Sequence, residues 1–367
     1  MARIAVFHNT LDFQGGADGV CLATCETLLA DGHDVTLCTL SETDPAALAE
    51  RFGADVEGLA TRTVPGGDTI ATAFAEAAPW IGPQLALRST VVHRWFRRRA
   101  AAFDLTVSTA NEIRVPGPSV QYVHYPQFYR RRTGNGGRLN PLWSALAGPG
   151  RADLRDATLL ANSEWTADIV DRVYNLHPDI VHPPVDPVDG GRPWSEREAG
   201  IVVVGRIAPD KRIHEAFAVL DGLRERGRDI HLHVVGSAPR AYRRYVDRIT
   251  RMAAERQYVS LERDVQRDRL MELLRTHRYG LNVKPNEHFG MSVAEYVAAG
   301  MVAFAPDSGG QREILNGRAD RLFDDIDGAV DCVDAAIANS ERPSLRRDRF
   351  SRERFAAAVS EHVAERL

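Results

Sequence analysis

Lysine and cysteine are both scarce in this chain of 367 residues, and each scarcity narrows what it can be. Of 46 basic residues only Lys211 and Lys284 are lysines. Four cysteines (Cys21, Cys25, Cys38, Cys332) are too few for a disulfide framework, and a reducing compartment accounts for them. Cys21 and Cys25 stand one helical turn apart with Cys38 nearby, a spacing a metal could use, but free cysteine ordinarily acts as a small buried apolar residue. No apolar stretch reaches membrane-spanning length, and the opening run Arg3 to His8 is broken by polar residues before a signal-peptide core forms. A cytoplasmic protein is expected. Excess positive charge is missing too: the net charge of -4 excludes a generally basic nucleic-acid binder.

What is present is an ordinary globular composition, 44% apolar and 26% charged, in a chain long enough for two α/β domains. Short apolar or β-branched runs alternate with amphipathic stretches: Ile4 to Phe7, Val35 to Leu40, Leu105 to Ser108, Val120 to Val123 and Thr158 to Ala161. A second series runs through Ile201 to Val204, Ile230 to Val235, Tyr258 to Leu261, Tyr279 to Val283 and Val302 to Ala305. Strand and helix alternating in this way predict parallel sheets with crossover helices. Between the series lies Pro183 to Pro193, too rich in Pro and Gly for a regular element. The expected organisation is a first domain over 1–185, a linker over 186–199, a second domain over 200–345, and a closing helix over 346–367 that packs back on the first domain.

Ligands of open α/β sheets bind beyond the carboxyl ends of the strands. Gly15-Gly16-Ala17-Asp18-Gly19 follows the first strand and precedes a helix expected from about Val20 to Ala30, so ligand contact and a plain turn are both open there. Arg206 and Lys211 follow Val204. A chain that uses Arg almost everywhere keeps Lys here, as suits a compact ammonium against a phosphate oxygen beside a two-pronged Arg. Glu287 and Glu295 flank the start of a helix expected from Gly290 to Ala299, whose free N–H groups suit a diphosphate. Glu287 can then accept from hydroxyls on the sugar side and Glu295 from those on the ribose side. Asp325-Ile326-Asp327 reads as a helix N-cap rather than a metal motif.

Val204-Gly205-Arg206 with Lys211, Glu287-His288-Phe289-Gly290 with Glu295, and Ser308-Gly309-Gly310 through Ile314 resemble the donor-site motifs of glycosyltransferase family 4. These are retaining enzymes of GT-B fold, an α/β architecture of two Rossmann-like doubly wound domains facing across a cleft. Asn286 to Gly290, with Tyr122-Val123-His124-Tyr125-Pro126, is most similar to the GDP-mannose-dependent mannosyltransferases of lipid-linked oligosaccharide assembly. The resemblance implies that Arg206 and Lys211 hold the diphosphate, Glu287 the transferred sugar and Glu295 the ribose. It puts Gly16 near the diphosphate, His124 beside the donor sugar, and His288, Phe289, Gly290 and Met291 on the donor side. Arg263 and Val265 fall in the nucleobase loop, where the family often has Gly and this chain reads Glu262-Arg263-Asp264-Val265.

The implied reaction needs no metal and no cofactor. Its partners would be a nucleotide-sugar donor, GDP-mannose ahead of a UDP-sugar, and a glycan or lipid-linked acceptor, with no nucleic acid. A sugar-nucleotide 2-epimerase and a non-catalytic sugar-nucleotide binder are the alternatives on the same architecture. Two basic-aromatic stretches, Arg94 to Arg99 and Tyr129 to Arg132, would suit an anionic membrane surface, with Trp95, Phe96 and Tyr129 at the interface and the protein peripheral on the cytoplasmic face.

Overall fold

The computed structural model describes residues 1–11, 15–41, 44–81, 85–128 and 140–367. The chain divides into two compact units, Met1–Pro184 with Arg352–Leu367, and Val185–Ser351.

The first unit is built on a seven-stranded sheet: β1 (Arg3–Phe7), β2 (Asp34–Thr39), β3 (Ala60–Thr63), β4 (Leu105–Ser108), β5 (Ser119–Val123), β6 (Thr158–Ala161) and β7 (Asp179–Ile180). All pairings are parallel, in the order β3-β2-β1-β4-β5-β6-β7. Helices on both faces explain why Ile4, Ala5, Val6 and Phe7 are all fully buried, with none of the alternation of a one-sided sheet. The closing helix, Arg352–Ala364, belongs to this unit. Phe355, Val359 and Val363, spaced at i, i+4 and i+8, bury one face in its core, and Arg352 pairs with Glu26 at 2.8 Å.

The second unit carries β8 (Glu198–Val204), β9 (His231–Gly236), β10 (Val259–Arg263), β11 (His277–Leu281), β12 (Val302–Pro306) and β13 (Leu322–Phe323). The order is β10-β9-β8-β11-β12-β13, again parallel. Each sheet thus grows outward from its first strand on one side, then returns to that strand's other edge. The resulting switch points, β1/β4 and β8/β11, are where loops diverge at the carboxyl ends and leave room for ligands.

One surface expectation is corrected. Phe96, like the neighbouring His93, turns inward from the helix Leu85–Arg97. Both are buried, with His93 edge-on to Phe7 and Phe128 and Phe96 against Phe7. Trp95 is half-buried with Arg99 stacked 4.9 Å from its ring, so this stretch presents arginines rather than an aromatic edge. Tyr129 to Arg132 lies outside the described residues. Among the described residues no helix is long and apolar enough to cross a membrane.

Candidate active site

Both strands of the second switch point deliver charge. Past β8, Arg206 leads into the short turn Pro209–Lys211, and past β11 comes the loop 282–290. Lys211 Nζ lies 2.9 Å from Glu287 Oε1, and Lys284 Nζ 2.9 Å from Glu287 Oε2. The chain's two lysines therefore converge on one carboxylate. Asp210 joins them, 3.5 Å from Lys284 and 3.9 Å from Arg206. The Glu287 side chain is only 15% exposed. Burial raises the pKa of its carboxyl, but the ammonium groups of Lys211 and Lys284 outweigh this and hold it down to about 2. The group stays ionised at any physiological pH. Three cations face two carboxylates here, an excess of positive charge that an anionic ligand would neutralise.

The loop is held from behind by Ser308-Gly309-Gly310. Gly309 has φ +75°, and a Cβ there would stand 2.3 Å from the Glu287 carbonyl oxygen. Only glycine lets the two backbones meet, and Gly310 N donates to that same carbonyl at 2.9 Å. Ser308 Oγ accepts from Asn286 N, and buried Gln311 ties the loop down by accepting from Asn282 and donating to the Lys284 carbonyl.

The helix after the loop runs Met291–Ala298, with Gly290 at φ +114° immediately before it. Phe289 is buried against Phe350, so its ring faces the core. Glu295 sits in the second turn; burial chiefly raises its pKa to about 7, with Asp186 adding and Arg267 opposing. At the end of β10 Arg263 is exposed, and just past it Val265 is half-buried against the core. Asp264 between them takes φ +53° and accepts from Ala238 N at 3.1 Å, filling the left-handed position without glycine. Asp325 caps the helix Ile326–Ala338, its Oδ1 accepting from Gly328 N at 2.8 Å.

The first unit builds a different cluster at its own switch point. His8 follows β1, Thr109 follows β4 and His124 follows β5. His8 Nε2 lies 2.9 Å from Asp18 Oδ1 and its Nδ1 2.9 Å from Thr109 Oγ1. Both side chains of the His8–Asp18 pair are nearly inaccessible. Burial lowers the pKa of His8, but Cys21 and Asp18 reverse this and the net shift is upward. The His124 ring sits 3.1 Å from the Thr109 carbonyl, which can only accept, so Nε2 carries the proton and Nδ1 the lone pair. Burial, followed by repulsion from His8, pushes the pKa of His124 down to about 4, so it is neutral. Gly16 opens the helix Gly16–Ala30 and is exposed. That helix begins a turn earlier than its apolar pattern indicates because Asp18 Oδ2 accepts from Gly15 N at 2.9 Å.

Residues 190–348 match the sequence model for Glycosyl transferases group 1. That stretch of the second unit is similar to this glycosyltransferase family. Two curated relatives are GDP-Man:Man(3)GlcNAc(2)-PP-Dol alpha-1,2-mannosyltransferases. The one from Eremothecium gossypii is 25% identical over 166 residues, 41% of this chain and 28% of that protein. The one from Dictyostelium discoideum is 28% identical over 186 residues, 45% of this chain and 37% of that protein. The match thus spans well under half the length of these relatives. Solved structures resemble the whole chain: Anabaena HepE in complex with UDP and glucose has a TM-score of 0.69 at 15% identity, with both chains fully covered. WaaG, a glycosyltransferase of lipopolysaccharide biosynthesis, gives 0.65 at 14% identity, over 98% of this chain and 94% of that one. The fold is GT-B.

Within this stretch Lys211 meets Glu287, Arg206 joins them through Asp210 and Lys284, and Gly290 precedes the adjoining helix that carries Met291 and Glu295. Lys284 went unassigned in the sequence reading. Its signal was present in the composition, as the second of only two lysines, three residues before Glu287. In the first unit, His8 and the carboxylate of Asp18 were also missed, because nothing local shows that residues ten apart meet across the end of a strand.

Proposed function

We propose that the chain is a retaining glycosyltransferase that moves mannose from GDP-mannose to a lipid-linked glycan acceptor without a metal ion. The observation that carries this reading is the convergence of Lys211 and Lys284 on Glu287, with Arg206 beside them, at the switch point and ahead of a helix N-terminus. The names of the curated relatives supply the donor and acceptor class.

Breaking the bond between the anomeric carbon and the diphosphate leaves negative charge on phosphate and positive charge on the sugar. Arg206, Lys211 and the free N–H groups at Met291 offset the first. Glu287, ionised throughout, accepts hydrogen bonds from sugar hydroxyls and sits where it can offset the second. Glu295 accepts from the ribose. The acceptor hydroxyl attacks on the face the diphosphate leaves; its proton passes to the departing phosphate oxygen as the new glycosidic bond forms, so the anomeric configuration is kept. His124, neutral with Nδ1 as acceptor, orients a sugar hydroxyl rather than moving a proton.

The test supplies EDTA-treated protein with GDP-mannose or UDP-glucose, with and without a polyprenyl-diphosphate-linked oligosaccharide. GDP should be released only from GDP-mannose and only with acceptor, and the new linkage should be α by NMR. A β linkage would refute retention, and a strict Mg²⁺ or Mn²⁺ requirement would refute the metal-independent route. Epimerisation of the donor without acceptor would replace transfer with the epimerase reading.

A further inference from the structure

Three histidines gather at the other end of the second sheet. His231 and His277 are the first residues of β9 and β11, Glu198 is the first of β8, and His233 lies two residues after His231 on the same face. One ring nitrogen of each histidine lies within 4.8 Å of those of the other two. His231 Nε2 and His277 Nε2 are 3.1 Å apart, and Glu198 Oε2 is 3.6 Å from the first and 3.8 Å from the second. We propose that His231, His233, His277 and Glu198 bind one divalent transition-metal ion of the zinc class.

The three edges among His231, His277 and Glu198 are near those of such an ion, and His233 lies within reach of a small inward shift. Four ligands at about 2.0–2.1 Å in a tetrahedron stand roughly 3.3 Å from one another. The tautomers fit as well. His277 Nδ1 lies 2.9 Å from the Leu273 carbonyl, which can only accept, so its Nε2 holds the lone pair. His233 Nδ1 lies 2.6 Å from Glu262 Oε1, a carboxylate fixed in turn by Arg269 at 2.7 Å, so its Nε2 is likewise an acceptor. A ligating histidine ordinarily donates its other N–H to a carbonyl or carboxylate in this way, which orients the ring and strengthens the donor nitrogen.

Gly200 supplies a separate observation. It pairs with His231 in the β8–β9 ladder, and a Cβ there would stand 2.4 Å from His231 Nε2 and 2.6 Å from His277 Cδ2. The residue between the two rings is the one that leaves them room to meet. Edge-to-face packing of three imidazoles explains the ring angles of 74–82°. Packing alone does not require lone pairs and a carboxylate to converge. His231 is 35% and Glu198 49% exposed, so an ion can enter from solvent.

The site is about 20 Å from the Glu287 cluster, the length of the intervening strand. An ion there would take no part in transfer; it would clamp the starts of β8, β9 and β11 just where the chain leaves the linker. The proposal is therefore independent of the function proposed above.

The test uses the full chain without a histidine tag, stripped with EDTA and dialysed, then titrated with Zn²⁺. Calorimetry and elemental analysis should show one tightly held ion per chain, and the thermal midpoint should rise by roughly 5 °C. Co²⁺ should give the visible absorption of a tetrahedral site. His231→Gln, at a half-exposed position that folding tolerates, should weaken uptake at least ~100-fold. Glu198→Gln should weaken it ~10-fold, so that His231→Gln abolishes the midpoint shift and Glu198→Gln reduces it. Absence of uptake by the stripped wild-type chain would overturn the proposal, as would stoichiometric uptake unchanged in His231→Gln.

Discussion

The two units share a topology and differ in what they do with charge at the switch point. The second surrounds Glu287 with Lys211, Lys284 and Arg206, and leaves Arg206 38% exposed. The first closes His8 and Asp18 over each other, with His124 neutral beside them. One arrangement has an excess of cations open to an anion; the other pairs the charges of His8 and Asp18 with each other and leaves only the neutral His124 ring to offer an acceptor. The difference separates a site built to take up charge from one built to hold a shape. Substitutions in the two should fail differently.

The largest effect is expected in the second unit. Glu287→Ala and Lys211→Ala should each lower kcat/KM by ~10²–10³-fold, the scale of removing one group that stabilises transition-state charge. In Lys211→Ala the thermal midpoint should move little, since Lys284 still pairs with Glu287; in Glu287→Ala it should fall, because Lys211 loses its partner while Lys284 keeps Asp210. Full transfer by either variant would break the assignment. Lys284→Ala should behave similarly, and its rate loss would show that the second lysine is part of the site rather than a counter-ion to it.

His8→Gln should give the opposite pattern. Breaking a buried pair leaves Asp18 with an uncompensated charge, costing roughly 3–5 kcal/mol, or about 10 °C in the unfolding midpoint. A variant as stable as the parent would show that the buried pair holds no shape, and the contrast between the units would collapse.

Edge position and sequence distance govern how much could be read beforehand. The interior strands are legible as continuous apolar runs because crossover helices cover both faces. The strands that escaped notice are β3, β7 and β13, and each is an edge. β3 reads Ala-Thr-Arg-Thr and is mostly exposed, while β7 and β13 are two residues long, too short for any period to show. The site divides the same way. Arg206, Lys211, Glu287 and Glu295 stand in motifs whose spacing carries meaning. His8–Asp18 and the histidine group around Gly200 depend on strand register, which no local pattern reveals. The aromatic edge expected at Trp95 and Phe96 failed for a related reason: a basic run on a helix does not show which side chains turn inward.

A subtler test concerns Glu295, the one carboxylate near the donor site that burial pushes up, to about 7. Its folded state keeps a proton that the unfolded chain releases above pH 4.5. Stability should therefore fall as pH rises from about 4.5 to 7, and Glu295→Gln should flatten that slope. Glu287 has the opposite sign. Its stabilisation is complete above pH 4.5 and lost only as pH falls through about 2, so it contributes no slope near neutrality. If Glu295 accepts from the ribose, the KM for the donor should fall severalfold between pH 6 and 8 in the parent and stay flat in Glu295→Gln. A parallel profile in both would remove the ribose role while leaving Glu287 untouched.

The smallest effect separates a cap from a metal ligand. Asp325 Oδ1 already accepts from Gly328 N at 2.8 Å, and Asp327 lies in the first turn of the same helix. Asp325→Ala should cost about 1 kcal/mol, typical of a lost N-cap, with Asp325→Ser restoring most of it because a hydroxyl can take the same hydrogen bond. Transfer should be unchanged in both variants, measured with and without EDTA. A loss of transfer that serine fails to rescue, and that tracks divalent-ion concentration, would mean the pair Asp325 and Asp327 serves the reaction, and that the cations around Glu287 do not neutralise the leaving group alone.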